Sequence, residues 1–333
     1  MVYKPCLLIG DIGGTNARFA LADPGGSGFS NELTLACDDY ATAERGIAEY
    51  LERSGTGQPD VICLAVAGPV VDGAVRFTNN HWLIDKRVLE ANYPRARVQL
   101  LNDFESIAYS IPILGENDVA CIGPLTPGAE GKQDLTFAVL GPGTGLGAGG
   151  LLKRASAVYP IVGEGGHAGF APETAMQFKV LKQLRRRFER VSSERLISGP
   201  GLENIYWALC RIRGESRAEL KAAEIFSRVL AREDALAVEA VEMFFEALGQ
   251  VAGNLALALG AFDGVYLAGG IVKRYPDLLK TSGFRSGFEN KGRHRALMER
   301  VPTFLVLHPQ PGLLGAGFRA RELMQETSTG KNG

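Results

Sequence analysis

The stretch LLIGDIGGTNARFALAD, residues 7–23, decides the fold of the N-terminal region. Its two apolar runs, 7–10 and 17–22, flank a short polar turn made of Asp11, Gly13, Gly14, Thr15 and Asn16. Apolar runs bounded by turn residues indicate the strands of a hairpin. A hairpin turn needs only one or two glycines. The acidic and polar side chains at the end of a buried strand therefore indicate a second role for this turn.

Length and composition bound the class of protein. At 333 residues the chain is long for one hydrophobic core, so two domains are expected. The net charge of −1 gives no electrostatic case for binding nucleic acid or a membrane. No apolar run is long enough to span a bilayer, and the start does not read as a signal peptide. The five cysteines form no CxxC pair, which favours reduced thiols, a cytoplasmic location and the absence of a structural zinc site.

The order of apolar segments predicts a mixed sheet flanked by helices in the first hundred residues. The predicted elements are a hairpin at 7–22 extended by 33–36, a helix at 42–53, a strand at 61–70, and a strand at 98–102 running into a helix. A second unit is expected to open near Asp134, because 135–152 again reads as strand, glycine turn and strand. Helices are expected near 173–189, 218–230 and 233–260, a strand near 264–271, and a last helix near 312–324 that packs on the first lobe.

Three glycine clusters follow apolar runs: 13–14, 141–150 and 269–270. Backbone without Cβ atoms can turn several N–H groups toward phosphate oxygens, so together the clusters predict a nucleotide site. Gly145, Gly147 and Gly150 also fit the GxGxxG pattern of dinucleotide-binding folds. That fold requires a helix directly after the glycines. Residues 151–160 instead read as a strand ended by Pro160, so the dinucleotide interpretation is rejected.

Asp11 and the segment LLNDFES, residues 100–106, each allow two interpretations. Asp11 could hold a Mg²⁺ ion mainly through water, or it could bond the amides of its own turn. In the second segment, Asn102 or Asp103 could be the N-cap of a helix. Alternatively, Asp103 could accept a proton from a substrate hydroxyl, and the two roles can coexist.

Glu164 and His167 lie in the Gly-rich segment GEGGHAGFAP, residues 163–172, and Glu194 precedes another predicted glycine turn. No third ligand follows at metal spacing, which argues against zinc. Carboxylates with an imidazole instead suit the vicinal hydroxyls of a sugar. The basic run 179–190 is interpreted as the solvated face of a helix.

With these segments assembled, the chain resembles the bacterial ATP-dependent glucokinases, in the zinc-free group of the hexokinase branch of the actin-like ATPase superfamily. The resemblance runs in order over nearly the whole length, through GDIGGTNARFA, AVAGPV, LNDFES, GPGTGLGAG, GEGGHAGFAP, SERLISGPGLENIY and LAGGI. It implies a two-lobed α/β fold of the ribonuclease H-like type, with mixed sheets, flanking helices and a central cleft. The expected domains are 1–112 with about 312–333, and 113–311.

The resemblance also implies roles for individual residues. The nucleotide would be bound by Gly10, Asp11, Ile12, Gly13, Gly14, Thr15, Gly141, Gly143, Thr144, Gly145, Gly269 and Gly270. The sugar-contact positions are Asn102, Asp103, Glu164, His167 and Glu194, with Asp103 as the base and Asp11 near Mg²⁺. Asn79 to Trp82 also look family-like. The implied ligands are glucose, ATP and Mg²⁺ without zinc, because no cysteine follows His167, and the expected assembly is a homodimer.

Three rivals remain open at this point. A kinase for another hexose would use the same residues. A sugar-sensing repressor would need a DNA-binding helix pair ahead of the first strand, which begins by residue 7. An actin-like filament or chaperone ATPase would not need the hydroxyl-binding cluster.

Overall fold

The computed structural model describes residues 4–77, 80–124 and 132–329. The chain divides into two compact units. Unit 1 comprises Met1–Gly115 together with His308–Gly333, and unit 2 comprises Glu116–Leu307.

The elements alternate between strands and helices along the described chain. As far as residue 110 they are β1 Leu7–Ile12, β2 Asn16–Ala22, β3 Phe29–Ala36, α1 Ala43–Arg53, β4 Val61–Val66, β5 Ala74–Arg76, β6 Leu83–Asp85, α2 Lys86–Asn92, β7 Arg97–Asn102 and α3 Asp103–Ser110. Then follow β8 Val119–Cys121, β9 Asp134–Pro142, β10 Leu146–Arg154, β11 Ala157–Ile161, α4 Ala175–Leu184, α5 Gly199–Arg213, α6 Ala222–Ala231, α7 Ala235–Leu259, β12 Gly264–Leu267, α8 Gly270–Arg274, α9 Pro276–Thr281, α10 Phe284–Glu289, α11 Arg295–Met298, β13 Thr303–Val306 and α12 Pro311–Thr329. Short 3₁₀ turns lie at Cys37–Asp39, Ile111–Ile113, Glu116–Asp118, Gly165–His167, Ser193–Arg195 and Gly292–His294.

Unit 1 is built on a five-stranded mixed sheet in the order β3-β2-β1-β4-β7. β1, β4 and β7 are parallel, and β2 and β3 continue antiparallel from β1, as the sequence predicts. All six residues of β4 are buried, which explains its unbroken apolar run. The register aligns Ile12, Val66 and Asn102 in one row. The segments that follow these three residues therefore leave the same edge of the sheet.

Two predicted helices, α1 and α12, lie in unit 1 together with α2 and α3. α1 begins after Thr42, whose side chain accepts a hydrogen bond from the Arg45 N–H and so caps the helix. The last helix, α12, packs on β1, β4 and α3. Ser106 in α3 donates from its hydroxyl to the Gly312 carbonyl at 2.7 Å and is itself fully buried.

Unit 2 repeats this strand order. Its six-stranded sheet runs β11-β10-β9-β12-β13-β8, with β9, β12 and β13 parallel and β10 and β11 antiparallel. The first five strands therefore follow the topology of unit 1, as the repeated strand and glycine turn predict. Short β8 adds an antiparallel edge strand beside β13. The long helix α7 packs against α5, α6 and α10 in the main apolar core of this unit.

Three local predictions in unit 2 were wrong. Pro160 does not end a strand but lies inside β11, an edge strand, where a missing N–H is tolerated. α4 ends at Leu184, so the basic run 179–190 is only partly helical. The expected glycine turn after Glu194 is instead the start of α5, where Ser198 caps the helix by accepting the Gly201 N–H. Pro200 fits there because the first helical turn needs no N–H from it.

Across the described ranges, no helix combines the length and the apolar character needed to cross a membrane. The five cysteines are all free.

Candidate active site

The first glycine turn, Gly13–Thr15, joins β1 to β2 and is fixed through its own backbone. The Gly13 N–H donates to the Asn16 carbonyl at 2.9 Å, and the Thr15 carbonyl accepts the Cys37 N–H at 2.9 Å. Asn80 donates from its side-chain amide to the Gly13 carbonyl at 3.2 Å. Among the described residues, nothing accepts a hydrogen bond from the N–H groups of Gly14 and Thr15. Two donors of a rigid turn are thus left for a ligand, an arrangement suited to phosphate oxygens.

Asp11 stands at the end of β1, directly before this turn. Its side chain is 28% exposed, and its Oδ2 lies 4.0 Å from an Arg18 nitrogen. The first turn of α12 lies against it, since a Cβ added at Gly312 would be 3.0 Å from Oδ2. Burial raises the pKa of Asp11, and the nearby Arg18 opposes that rise.

The two interpretations of Asp11 can now be separated. In the described part of the chain, no turn amide donates to its carboxylate, because the Gly13 N–H is engaged by Asn16. The carboxylate does not serve to stabilise its own turn. Among those residues no group of three acidic, His or Cys side chains could hold a metal alone. A single carboxylate beside a turn with two N–H groups to offer has the chemistry to hold Mg²⁺, an ion that keeps most of its water and is bound by one or two carboxylates together with substrate phosphates.

The start of α3 resolves which residue is the helix cap. Asn102 is the N-cap: its side-chain oxygen accepts the Phe104 N–H at 2.9 Å and the Glu105 N–H at 3.4 Å. The Glu105 carboxylate in turn accepts the Asn102 N–H at 3.2 Å. This reciprocal pair is a capping box. The Asn102 amide also donates to the Gly68 carbonyl at 3.2 Å in the loop after β4. Asp103 is the first helical residue, and one of its carboxylate oxygens accepts the Phe104 N–H at 2.9 Å. The cap of α3 therefore does not depend on Asp103.

In unit 2 the second glycine turn, Gly143–Gly145, joins β9 to β10. The Gly143 N–H donates to the Gly145 carbonyl, and the Gly143 carbonyl accepts the Gly199 N–H, both at 2.8 Å. Just after the turn, the Leu146 N–H donates to Glu194 Oε2 at 3.0 Å. Within the described ranges the N–H groups of Thr144 and Gly145 donate to nothing. The second turn thus offers the same pair of donors as the first.

The third glycine cluster lies against the second. Gly269 has φ 118°, and a Cβ there would be 2.7 Å from the Pro142 carbonyl. The neighbouring Ala268 N–H donates to the Leu140 carbonyl at 2.9 Å, continuing the pairing of β12 with β9. Gly270 begins α8 in open space. The structure therefore brings together the two glycine clusters that the sequence places 120 or more residues apart.

The segments that carry Glu164, His167 and Glu194 meet near the start of β10. Glu164 forms an isolated bridge with Ala148, and the Glu164 carbonyl accepts the His167 N–H at 3.0 Å. The Ser193 N–H donates to the Ala168 carbonyl at 2.8 Å, which joins the loop of His167 to the turn of Glu194. His167 Nε2 lies 4.0 Å from Glu194 Oε2, with the two side chains 57% and 26% exposed. An accessible carboxylate and imidazole at this spacing can bind adjacent hydroxyls.

Two supporting residues were missed at the sequence level. Asn80 holds the first glycine turn, and Arg190 donates from its guanidinium to the His167 carbonyl at 2.8 Å. Asn80 lies in the Asn79 to Trp82 segment, of which Asn79 falls outside the described residues. Trp82 is 1% exposed and belongs to the core of unit 1. Arg190 belongs to the basic run and is exposed, as the interpretation of that run as a solvated face predicts, but it lies beyond the end of α4.

Comparisons with known proteins agree with these features. A sequence model of the Glucokinase family matches residues 8–323. The glucokinase of Caulobacter sp. strain K31 is 43% identical over 311 residues, covering 93% of each chain. A glucokinase crystal structure from an Antarctic psychrotroph superposes with a TM-score of 0.88 at 32% identity, covering 96% of this chain and 100% of that one.

A more distant likeness extends the fold assignment. The ROK hexokinase from Thermus thermophilus superposes with a TM-score of 0.66 at 21% identity, over 96% of this chain and 99% of that one. At that identity the likeness concerns the fold alone, which is the actin-like ATPase fold that the resemblance implies. The family match covers nearly the whole chain and includes both glycine turns and the acidic residues around them. The chain belongs to the glucokinase family.

Proposed function

We propose that this chain transfers the γ-phosphoryl group of ATP to the 6-hydroxyl of D-glucose, with Asp103 as the base. As a member of the glucokinase family, the chain is an ATP-dependent phosphotransferase that phosphorylates glucose. The observation that supports Asp103 as the base is that other residues cap the start of α3. Asn102 and Glu105 form the capping box, so a further acid at the first helical position is not needed for the helix.

The proposed proton transfer is simple. Asp103 accepts the proton of the 6-hydroxyl as its oxygen attacks the γ-phosphorus. A new O–P bond forms, the bond to the bridging oxygen breaks, and ADP leaves with that electron pair. Phosphoryl transfer of this kind depends mainly on positioning and charge stabilisation.

The proposal assigns the phosphates to the backbone donors of the two glycine turns. Gly14 and Thr15 in the first turn, and Thr144 and Gly145 in the second, have N–H groups to offer. Asp11 would hold Mg²⁺ through its water shell, and the ion when bound would neutralise phosphate charge. The partly buried Asp11 carboxylate faces Arg18 at 4.0 Å and would gain a second positive charge when MgATP is bound.

For the sugar, the proposal assigns the positions that the family resemblance implies: Asn102, Asp103, Glu164, His167 and Glu194. Carboxylate oxygens accept hydrogen bonds from hydroxyls, while the imidazole and the amide can donate one. A site that pairs each hydroxyl discriminates against epimers, because a misplaced hydroxyl leaves a buried polar group without its partner. The homodimer and the cytoplasmic location remain predictions from sequence.

The substitution Asp103→Asn tests the proposed base. An amide cannot accept the hydroxyl proton, so kcat should fall about 10²–10⁴-fold. The melting temperature should stay near that of the parent, because Asn102 carries the cap. Glucose affinity measured by calorimetry should stay within about tenfold, since the amide still hydrogen-bonds a hydroxyl.

Glu105→Gln is the matched control, two residues along the same helix. Its amide oxygen can still accept the Asn102 N–H, so both stability and kcat should be nearly unchanged. A folded Asp103→Asn protein that turns over at close to the parent rate would remove Asp103 from the mechanism. An equal loss of kcat in Glu105→Gln would instead assign the effect to the geometry of α3.

A further inference from the structure

Glu194 is a proposed sugar contact that also touches the second glycine turn. Its Oε2 accepts the Leu146 N–H at 3.0 Å, at the first residue of β10. A Cβ at Gly145 would lie 2.6 Å from the same oxygen, so the carboxylate reaches the turn only because residue 145 is glycine. The same oxygen lies 4.0 Å from His167 Nε2.

The backbone that carries Glu194 is itself fixed. The Glu194 carbonyl accepts the Ser198 hydroxyl at 2.8 Å, and the Arg195 carbonyl accepts the Asn204 amide at 3.0 Å. Both partners are almost fully buried in or beside α5. A carboxylate on a segment held in this way can position another group.

Residues 194–199 form a hydrogen bond at each end of the second glycine turn. At the start of the turn the Gly199 N–H donates to the Gly143 carbonyl at 2.8 Å, and directly after the turn the Glu194 side chain accepts the Leu146 N–H. These two bonds leave the N–H groups of Thr144 and Gly145 between them. The conformation in which those two donors are presented therefore depends on Glu194.

We propose that Glu194 is a positioning residue for the nucleotide as well as a sugar contact, holding the second glycine turn in its phosphate-binding conformation. The proposal rests on the assignment of this turn to ATP. The Glu194 carboxylate would then contact glucose directly and act on ATP through the turn that it holds. A glucose hydroxyl bonded to Glu194 restrains the oxygen that holds Leu146, so sugar binding favours the ordered turn.

The test uses two substitutions at one position. Glu194→Ala removes the acceptor, whereas Glu194→Gln keeps an oxygen that can accept the Leu146 N–H while losing the charge. Affinity for a non-hydrolysable ATP analogue with Mg²⁺ is measured by calorimetry without sugar. We expect Glu194→Ala to weaken binding by about tenfold, near the lower end of what one hydrogen bond to a charged group contributes. Glu194→Gln should bind within about twofold of the parent or more tightly, because a negative charge beside the phosphates is removed.

Glu164→Ala is the matched control, because Glu164 is exposed and its carboxylate forms no hydrogen bond among the described residues. It should leave nucleotide affinity unchanged. Melting temperatures of all three variants identify any loss that comes from unfolding. Glu194→Ala bound as tightly as the parent would overturn the proposal, as would equal weakening in Glu164→Ala. Failure of the proposed glucose chemistry would appear separately, in the sugar assays, because this titration contains no sugar.

Discussion

The contact between Gly269 and the end of β9 gives a sharp test of how the second glycine turn of unit 2, the proposed nucleotide contact, is held. Gly269 has φ 118° and ψ 155°, a region that is essentially reserved for glycine. A Cβ there would be 2.7 Å from the Pro142 carbonyl and 3.2 Å from the Gly141 carbonyl carbon. Both atoms belong to the backbone of the strand that leads into the second glycine turn, so neither can rotate away.

The expected cost of Gly269→Ala has two parts. Adopting this backbone conformation costs a non-glycine residue about 1–3 kcal/mol, and crowding a packed backbone costs about 1–3 kcal/mol more. Some relaxation is shared, so we expect about 2–4 kcal/mol of lost stability. For a domain of the size of unit 2, each kcal/mol shifts the melting temperature by about 2–4 °C. The expected drop is therefore roughly 4–16 °C, with a raised KM for ATP because residues 141–145 must move.

The adjacent glycine supplies the control. Gly270 has nothing within 4 Å of an added Cβ and begins α8. Gly270→Ala should therefore be neutral or stabilising by about 0.4–1 kcal/mol. The melting temperatures of the two variants are compared by calorimetry. Their steady-state KM values for ATP are compared at a temperature well below either melting temperature. The reasoning is refuted if Gly269→Ala melts within error of Gly270→Ala.

Three further predictions concern Asp11, the requirement for Mg²⁺ and the proposed sugar contacts of unit 2. Burial raises the pKa of Asp11, so the folded state binds its proton more tightly than the unfolded state, and stability falls as the pH rises through the interval between the two pKa values. Asp11→Asn should therefore be at least as stable as the parent at neutral pH in thermal melts, yet lose Mg²⁺-dependent activity; a destabilised but active variant would contradict this. Excess EDTA should likewise abolish phosphorylation in the parent, and added Mg²⁺ should restore it. Glu164→Ala and His167→Ala should each raise the KM for glucose far more than that for ATP, and the reverse pattern would move these residues to the nucleotide.

Much of unit 1 could be predicted because its signals are local. The apolar runs of β1 and β2, the capping threonine of α1 and the unbroken apolar run of β4 each lie within a few residues of the element they define. The row of Ile12, Val66 and Asn102 then follows from parallel pairing. Local chemistry of this kind also suggested the cap at α3, though not which of its two candidates would form it.

The helix α5 was missed although its signals were present. Ser198 caps it, Pro200 lies in its first turn, and Leu202, Ile205, Tyr206 and Leu209 follow helical spacing on its buried face. Glycines on either side of the proline suggested a turn instead. Their small size is explained by packing, which sequence alone does not show: Gly201 has no room for a Cβ beside Leu196.

The supporting contacts of the site could not have been predicted from spacing. Asn80 reaches Gly13 across 67 residues, and Glu194 reaches Leu146 across 48. Strands β8 and β13 pair although Ala120 and Leu305 are far apart in the chain. Such contacts depend on where the sheets and helices come to rest, and no short-range pattern of residue types encodes them.

Unit 1 is assembled from the two ends of the chain, and this has a consequence for biosynthesis. The Arg97 guanidinium donates to the Leu323 carbonyl at 2.8 Å, joining β7 to a helix that is translated only after all of Glu116–Leu307. At about 5–20 residues per second, the ribosome needs roughly 10–40 s to make the intervening unit. We expect unit 2 to fold on the ribosome before α12 is made. During that time the face of the first sheet on which α12 packs stays uncovered. A nascent chain that stalls before Gly312 lacks the helical turn beside Asp11, so the Asp11 carboxylate acquires its final surroundings only in chains translated past that point.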